Sequence, residues 1–362
     1  MFRMFKYRIY PTKRQADMLT RSLEVCSELY NAALQERRDA WRLNRASVTF
    51  FDQSAQLTEV RKCRADVAEI SYCAAENVLK RVDRAFKAFF RRVKKGDNPG
   101  HPRFKSVRYY SSLTFRKLGR PLDGNRLCIA KVGRVRIKLS RPLEGKIKEL
   151  HVRRECEKWY AVFCVECEPK PLPACDTRVG IDVGIITFAA FDGGKDIENR
   201  RYYRQAQSDL RRAQRRLARR ERNSNRWRDA LLLLQKVHAL TRRRRIDFHH
   251  WVSRRLVNNF GFIVVEDLKV KGLASGMLAK DVRDAGWASF FHKLAYKAES
   301  AGRVLVKVDP RGTSQRCVCG ASVPKDLSQR RHTCGACGLD VGRDRAAAME
   351  ILRLGLSLQA LT

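Results

Sequence analysis

The sequence predicts a composite fold that joins an α/β part, a β-barrel and an α-helical lobe. Three observations carry this reading. Apolar residues recur at spacings of four and three within residues 13–97, the rhythm of packed helices. Short strand-like runs divided by Gly, Pro and Asn fill residues 111–167. From residue 178 onward, apolar strands alternate with long helical stretches.

In chain order, residues 1–12 read as an edge strand that ends at Pro11. A helix follows from Lys13, with Leu19, Leu23, Cys26, Tyr30 and Leu34 on one face. A second helix carries Val78, Val82, Ala85, Phe89 and Val93 and stops at Gly96. Its other faces are basic, and Lys80, Arg84, Lys87 and Arg91 are taken as candidate nucleic-acid contacts rather than a merely solvated face. The turn-rich stretch 97–105 closes the helical block. Runs at 114–115, 127–129, 135–139 and 159–163 then read as strands of a small barrel that the helices interrupt, and Pro169, Pro171 and Pro173 mark a linker.

Beyond the linker, the apolar run 179–186 holds Asp182 in mid-strand and continues through Ala189, Ala190 and Phe191 to the turn at Asp192, Gly193 and Gly194. A helical hairpin comes next. Ala206, Leu210, Ala213 and Leu217 form one seam, and Leu233, Val237 and Leu240 form the return seam. Its outside is almost all Arg, and Arg242, Arg243, Arg244 and Arg245 are expected to contact a phosphate backbone. A second apolar strand at 262–268 bears Glu266, a helix spans 287–301, and a last strand covers 304–309.

The 362 residues hold 76 Lys+Arg against 38 Asp+Glu, a formal net charge of +38 spread along the whole length. Such a surface calls for a polyanionic partner held in a channel or wrapped surface. A hydrophobic content of 44% excludes a disordered basic tail. No run reaches the roughly 18 apolar residues that cross a bilayer, and residues 1–8 lack a signal-peptide core. A cytosolic protein with no membrane partner is expected, with membrane-surface binding as the weaker rival for a basic chain. Eight of the twelve cysteines are scattered among apolar neighbours and read as reduced core thiols.

Three carboxylates stand in unusual settings: Asp182 and Glu266 in apolar strands, and Asp344 at the start of an Ala-rich helix. Singly, each has an ordinary reading as an ion-pair partner or helix cap. Together, in a basic α/β chain, they fit a site for two divalent cations, because buried carboxylates need compensating charge and phosphoryl transfer needs charge neutralisation more than covalent help. Hard Mg2+ takes oxygen donors, so three carboxylates and substrate phosphates suffice. Gly180 and Gly184 are expected to leave room for a substrate backbone.

Cys317-Val318-Cys319-Gly320 is followed, fourteen residues on, by Cys334-Gly335-Ala336-Cys337-Gly338. Paired cysteines with Gly after each second sulfur are a structural zinc pattern, with Cys317, Cys319, Cys334 and Cys337 as ligands. The first knuckle is one residue short, and His332 stands as an alternative ligand.

These residues together resemble the TnpB family of RuvC-like nucleases encoded by insertion sequences. The resemblance runs from Tyr7-Arg8-Ile9-Tyr10-Pro11-Thr12 through Gly100-His101-Pro102-Arg103-Phe104-Lys105, Lys158-Trp159-Tyr160, the Asp182 and Glu266 strands and Thr313-Ser314-Gln315 to Arg343-Asp344. It implies an RNase H-like nuclease domain at 176–310 and 339–362, with Asp182, Glu266 and Asp344 as Mg2+ ligands. It also implies a zinc ribbon at 311–338, a split wedge barrel at 1–12 and 98–175, and a helical recognition lobe at 13–97. The implied function is RNA-guided DNA cleavage beside a short flanking motif. The partners would be one guide RNA per monomer and a double- and single-stranded DNA target in the prokaryotic cytosol and nucleoid. A guided repressor, a strand-joining transposase and a CRISPR effector with a separate guide array are the rival readings. Family members commonly read Asp-Arg-Asp-x-Asn where this chain has Gly342-Arg343-Asp344-Arg345-Ala346, so a supporting Asp and Asn are absent.

Overall fold

A computed structural model describes every residue except Lys117, Leu327, Leu361 and Thr362, which fall inside the expected barrel, ribbon and C-terminal ranges. The chain divides into two compact units, Met1–Cys167 and Glu168–Thr362.

In the first unit, strand β1 (Phe2–Tyr10) leads into helix α1 (Lys13–Asn44). Thr12 caps α1 with a capping box to Gln15, and Arg45 ends it in the left-handed region at φ 53°. The expected seam of Leu19, Leu23, Cys26, Tyr30 and Leu34 is buried throughout. Helices α2 (Phe50–Cys63), α3 (Ala65–Glu69) and α4 (Tyr72–Lys94) complete the block. On α4 only the first half follows the expected seam. Val78 and Val82 are buried, whereas Ala85 and Phe89 are half-buried and Val93 is exposed, because among the described residues no helix or strand covers the second half.

Six further strands follow: β2 (Ser112–Phe115), β3 (Leu122–Asp123), β4 (Arg126–Ile129), β5 (Gly133–Lys138), β6 (Lys146–Glu155) and β7 (Lys158–Glu166). They join β1 in one antiparallel sheet of order β2-β6-β7-β1-β5-β4-β3. Two expectations change here. Among the described residues no ladder joins β2 to β3, so the sheet is an open half-barrel and not a closed one. β1 is an inner strand, pairing β7 along its length and β5 at its end, not an edge. Pro11 stops the strand but lies outside its paired residues. Tyr7 and Ile9 point from β1 into a core shared with Leu127, Val135, Leu150 and Phe163.

In the second unit, the five-stranded sheet has the order β10-β9-β8-β11-β12. The strands are β8 (Arg178–Asp182), β9 (Thr187–Phe191), β10 (Ile197–Glu198), β11 (Phe262–Glu266) and β12 (Val304–Val308). β8, β11 and β12 run parallel, and β9 and β10 are antiparallel additions. The run that reads as one continuous strand is therefore two, because the chain turns at 183–186. The turn is hidden in the sequence by its apolar residues, and a Cβ on Gly184 would lie 2.8 Å from the Thr187 carbonyl oxygen.

Helices α5 (Tyr202–Gln205), α6 (Gln207–Ala218) and α7 (Asn225–Asn259) link β10 to β11. Helices α8 (Val270–Leu273), α9 (Ala279–Ala285) and α10 (Trp287–Ala301) link β11 to β12. The hairpin of α6 and α7 closes over Leu210, Ala213, Ala230 and Ala239. The expected return seam is out of phase: Leu233 and Leu240 face outward, since small alanines let the helices approach. A short hairpin, β13 (Arg331–Thr333) and β14 (Asp340–Gly342), precedes the last helix, α11 (Arg343–Ala360).

Strand β11 shows how the sheet is covered. Ile263 and Val265 pack into the core with α7 and α10, while Phe262 and Val264 pack with Ile351 of α11. Both faces are dry, which is why its sequence is a continuous apolar run. α11 lies so close to β8 that a Cβ on Gly180 would sit 2.0 Å from the Ala348 carbonyl oxygen. Gly180 thus admits a helix backbone, and not the substrate backbone expected of it, and the buried Ala346, Ala347 and Ala348 serve the same contact.

The scattered cysteines also depart from expectation. Of the eight, only Cys26 is buried; Cys63 is exposed and the others are half-buried, so most sit at margins of the packing.

Candidate metal centres

Parallel pairing sets two of the three acidic residues side by side. Ile181 of β8 lies opposite Val265 of β11 in register. Asp182 and Glu266 are the next residues of each and the last of their strands. Asp182 is thus at a strand end and not in mid-strand. Asp344 is the second residue of α11, whose first turns pack on β8, and its charge acts directly on Asp182. All three side chains are half-buried.

The electrostatics of Asp182 reflect this convergence. Burial, then the Glu266 and Asp344 charges, push its carboxyl up to about 7, against a smaller opposing pull from Arg343. Burial also raises Glu266, and a hydrogen bond from Thr313 opposes it. Among the described residues, no Lys or Arg forms an ion pair with Asp182, Glu266 or Asp344. Three carboxylates thus stand without an ion-pair partner in a chain of net charge +38, an arrangement that a bound cation would compensate. Among the described residues, the cysteine group described below brings its donor atoms within 4.8 Å of one another.

Two neighbours complete the site. Thr313, 3% exposed, donates from Oγ1 to Glu266 Oε1 at 2.6 Å. It comes from the segment between β12 and the ribbon, and the only sequence signal was the Thr-Ser-Gln run just past a strand end. Arg343 donates to the Asp326 and Gln329 carbonyls (2.6 and 3.4 Å) and holds its charge next to Asp344. The adjacent acid Asp267 is exposed and faces Lys307 at 3.1 Å, which separates it from the site.

The four cysteines form the second centre. Cys317 Sγ lies 3.6 Å from Cys337 Sγ, and Cys319 Sγ lies 3.7 Å from Cys334 Sγ. Tetrahedral zinc with Zn–S of about 2.3 Å requires sulfurs about 3.8 Å apart, so the donor set fits that ion. The short first knuckle closes nonetheless: Gly320 N donates to the Cys317 carbonyl, and Gly320 takes φ 91° to make the turn. In the second knuckle, the Cys337 and Ala336 backbone N–H groups lower the Cys334 thiol to about 6, favouring the thiolate that binds metal. His332 does not join the group; it is fully buried, with Nδ1 facing Lys325 Nζ.

The candidate nucleic-acid residues divide by setting. Arg84 and Arg91 are exposed; Lys80 pairs with Glu76 (2.8 Å) and Lys87 with Asp83 (2.9 Å). Arg242 and Arg244 are exposed and Arg243 is half-buried. Arg245 donates to the Arg283 carbonyl at 2.9 Å and braces α9.

Comparison with known proteins agrees with this architecture. Residues 162–276 match a family described as "Probable transposase", residues 287–351 a "Cas12f1-like, TNB domain", and residues 1–46 a "Helix-turn-helix domain". In this chain the last range is one strand and one unbroken helix. A "Putative RNA-guided DNA endonuclease" of Streptomyces pristinaespiralis is 33% identical over 99% of this chain and 90% of its own length. The "Putative RNA-guided DNA endonuclease InsQ" of Escherichia coli K12 is 27% identical over 98% and 93%. Among solved structures, the mini-RNA-guided endonuclease CRISPR-Cas_phi3 shares the fold at a TM-score of 0.50 and 10% identity, covering 98% of this chain and 92% of that one. Fold and matches define the class, a transposon- and CRISPR-related nuclease. Within it, the chain belongs to the TnpB family.

Proposed function

We propose that this chain is an RNA-guided DNA endonuclease of a transposable element, cutting target DNA by two-metal phosphodiester hydrolysis beside a short flanking motif. The observation that carries the reading is the juxtaposition of Asp182, Glu266 and Asp344 without ion-pair partners. These three carboxylates would hold two divalent cations, Mg2+ by their oxygen-only donors. When bound, such ions neutralise charge on the scissile phosphate and activate water. The protein's own part is positional. Thr313 fixes one Glu266 oxygen and so aims the other, the register of β8 and β11 keeps Asp182 and Glu266 adjacent, and Arg343 places a cation beside the anionic cluster. Cys317, Cys319, Cys334 and Cys337 would hold one structural zinc. Residues 1–12 and 98–175 would act as a wedge, 13–97 as a recognition lobe, 176–310 and 339–362 as the RuvC-like nuclease, and 311–338 as the zinc ribbon. One guide RNA and its DNA target would lie along the basic surface.

The test is to express the protein with its native flanking DNA, sequence the RNA that co-purifies, and measure Mg2+-dependent cleavage of matching DNA. Asp182→Ala should retain the RNA and lower cleavage more than about 100-fold, beyond what loss of an outer partner costs. Heterogeneous RNA, or cleavage surviving in Asp182→Ala, would sink the reading.

A further inference from the structure

The helical block of the first unit holds a cavity of about 710 Å3 that the chemistry above does not use. It opens where the apolar face of α4 loses its cover, and it lies between α1, the 46–49 connection and α4. Its volume is in the range of small-ligand sites, about 300–1,000 Å3. Two large aromatic side chains line it while remaining open to solvent: Trp41 and Phe90 are each 56% exposed. Phe86 and His101 form its inner wall, with ring centroids 5.8 Å apart.

Into this wall is set a fixed, buried cation. Arg37 is only 8% exposed. Its Nε donates to Gln53 Oε1 at 2.8 Å, Nη1 lies 3.6 Å from Asp83, and the guanidinium sits 5.5 Å from the centre of the Phe86 ring. Gln53 is itself locked by donating to the Ala33 carbonyl and to Glu36. Among the described residues, Arg37 Nη2 is buried with no acceptor. That nitrogen has almost no solvent-accessible surface, so it does not meet a ligand directly; the guanidinium instead stiffens the Phe86 wall of the cavity.

A ligand for this cavity would be flat, with apolar faces for Trp41 and Phe90. The mouth adds Arg38, Arg42 and Lys87. Arg42 and Lys87 face Asp39 and Asp83 at 3.3 and 2.9 Å, but exposed pairs of this kind are weak and a phosphate can compete for them. A base attached to its phosphate meets every one of these requirements. We propose that this cavity receives one unstacked nucleobase of a bound strand, stacked on Trp41 or Phe90, with a neighbouring phosphate at Arg38, Arg42 or Lys87. The proposal rests on the nucleic-acid reading of the preceding section. RNA and DNA bases share the chemistry, so the test has an arm for each.

The experiment uses the full-length protein with short oligouridine and oligothymidine probes, each carrying one 4-thio base. Long-wave ultraviolet crosslinking with peptide mass spectrometry maps the base, and affinity is measured across a salt series. Crosslinks should fall on peptides containing Trp41, Phe86 or Phe90. The RNA arm would assign a guide base, the DNA arm a target base, and either supports the site. Phe90→Ala, an exposed change that leaves the core intact, should weaken binding about 5- to 150-fold with an unchanged salt slope, since no charge is removed. Trp41→Ala is the independent second variant. Tight binding by the wild type, with crosslinks elsewhere and no effect of either variant, would overturn the cavity while sparing the nucleic-acid reading. A wild type that binds neither probe would overturn both.

Discussion

The smallest interaction with a consequence is the hydroxyl of Thr313 on Glu266 Oε1 at 2.6 Å. Glu266 is half-buried at a strand end, and its carboxylate can rotate unless one oxygen is held. A carboxylate whose second oxygen is fixed presents the first at a constant angle, which is how outer partners tune a metal ligand. Thr313→Val keeps the shape and removes the donor. It should raise the Mg2+ concentration needed for half-maximal cleavage about 10- to 100-fold, and Thr313→Ser should restore most of it. Titrating Mg2+ in a cleavage assay checks this, and an equal loss in the serine variant would point to packing instead. Gly180 makes the complementary point at the same scale. It was legible as a residue that makes room, but only the structure reveals that the room belongs to Ala348 of α11.

Among the elements, the ribbon is the one whose folding depends on a ligand. Among its described residues, Cys317 and Cys334 are the buried apolar side chains, so a metal joining the sulfurs would hold the segment's shape. Gln315 extends that shape toward Thr313: its side chain bonds both the Lys325 carbonyl (2.8 Å) and the Lys325 N–H (2.7 Å). Cys337→Ser should therefore lower bound zinc below one equivalent per chain and also reduce the apparent Mg2+ affinity of the nuclease site. Elemental analysis beside the Mg2+ titration checks both; full zinc content would remove Cys337 from the ligand set. Elements were legible where burial is one-sided and long. The α1 seam could be read residue by residue, as could the apolar run of β11. They were misread where no polar residue marks a reversal, as in the apolar turn 183–186 between β8 and β9, and where small residues shift a seam, as on α7. The inner place of β1 was hidden because its partners lie more than a hundred residues away.

Over the whole molecule, charge sets the behaviour that no single contact explains. The acidic triad was legible because three carboxylates are conspicuous in a chain of net charge +38, and their convergence needed only two parallel strands and one helix start. Which of the 76 basic residues meet a polyanion was not legible, since exposure and bracing depend on distant neighbours. Arg242 and Arg244 are exposed, whereas Arg245 is spent on the Arg283 carbonyl. The two kinds should respond differently to the same substitution. Arg242→Gln with Arg244→Gln removes charge that a phosphate can neutralise, so the slope of log affinity for RNA against log salt should flatten by about 0.7–0.9 per residue. Arg245→Gln should leave that slope unchanged and instead lower the melting temperature, because it frees α9 from α7. Filter binding across a salt series, with a thermal melt of each variant, separates the outcomes. A flattened slope for Arg245→Gln, or none for the exposed pair, would reverse the assignment of which arginines touch nucleic acid and which hold the helices together.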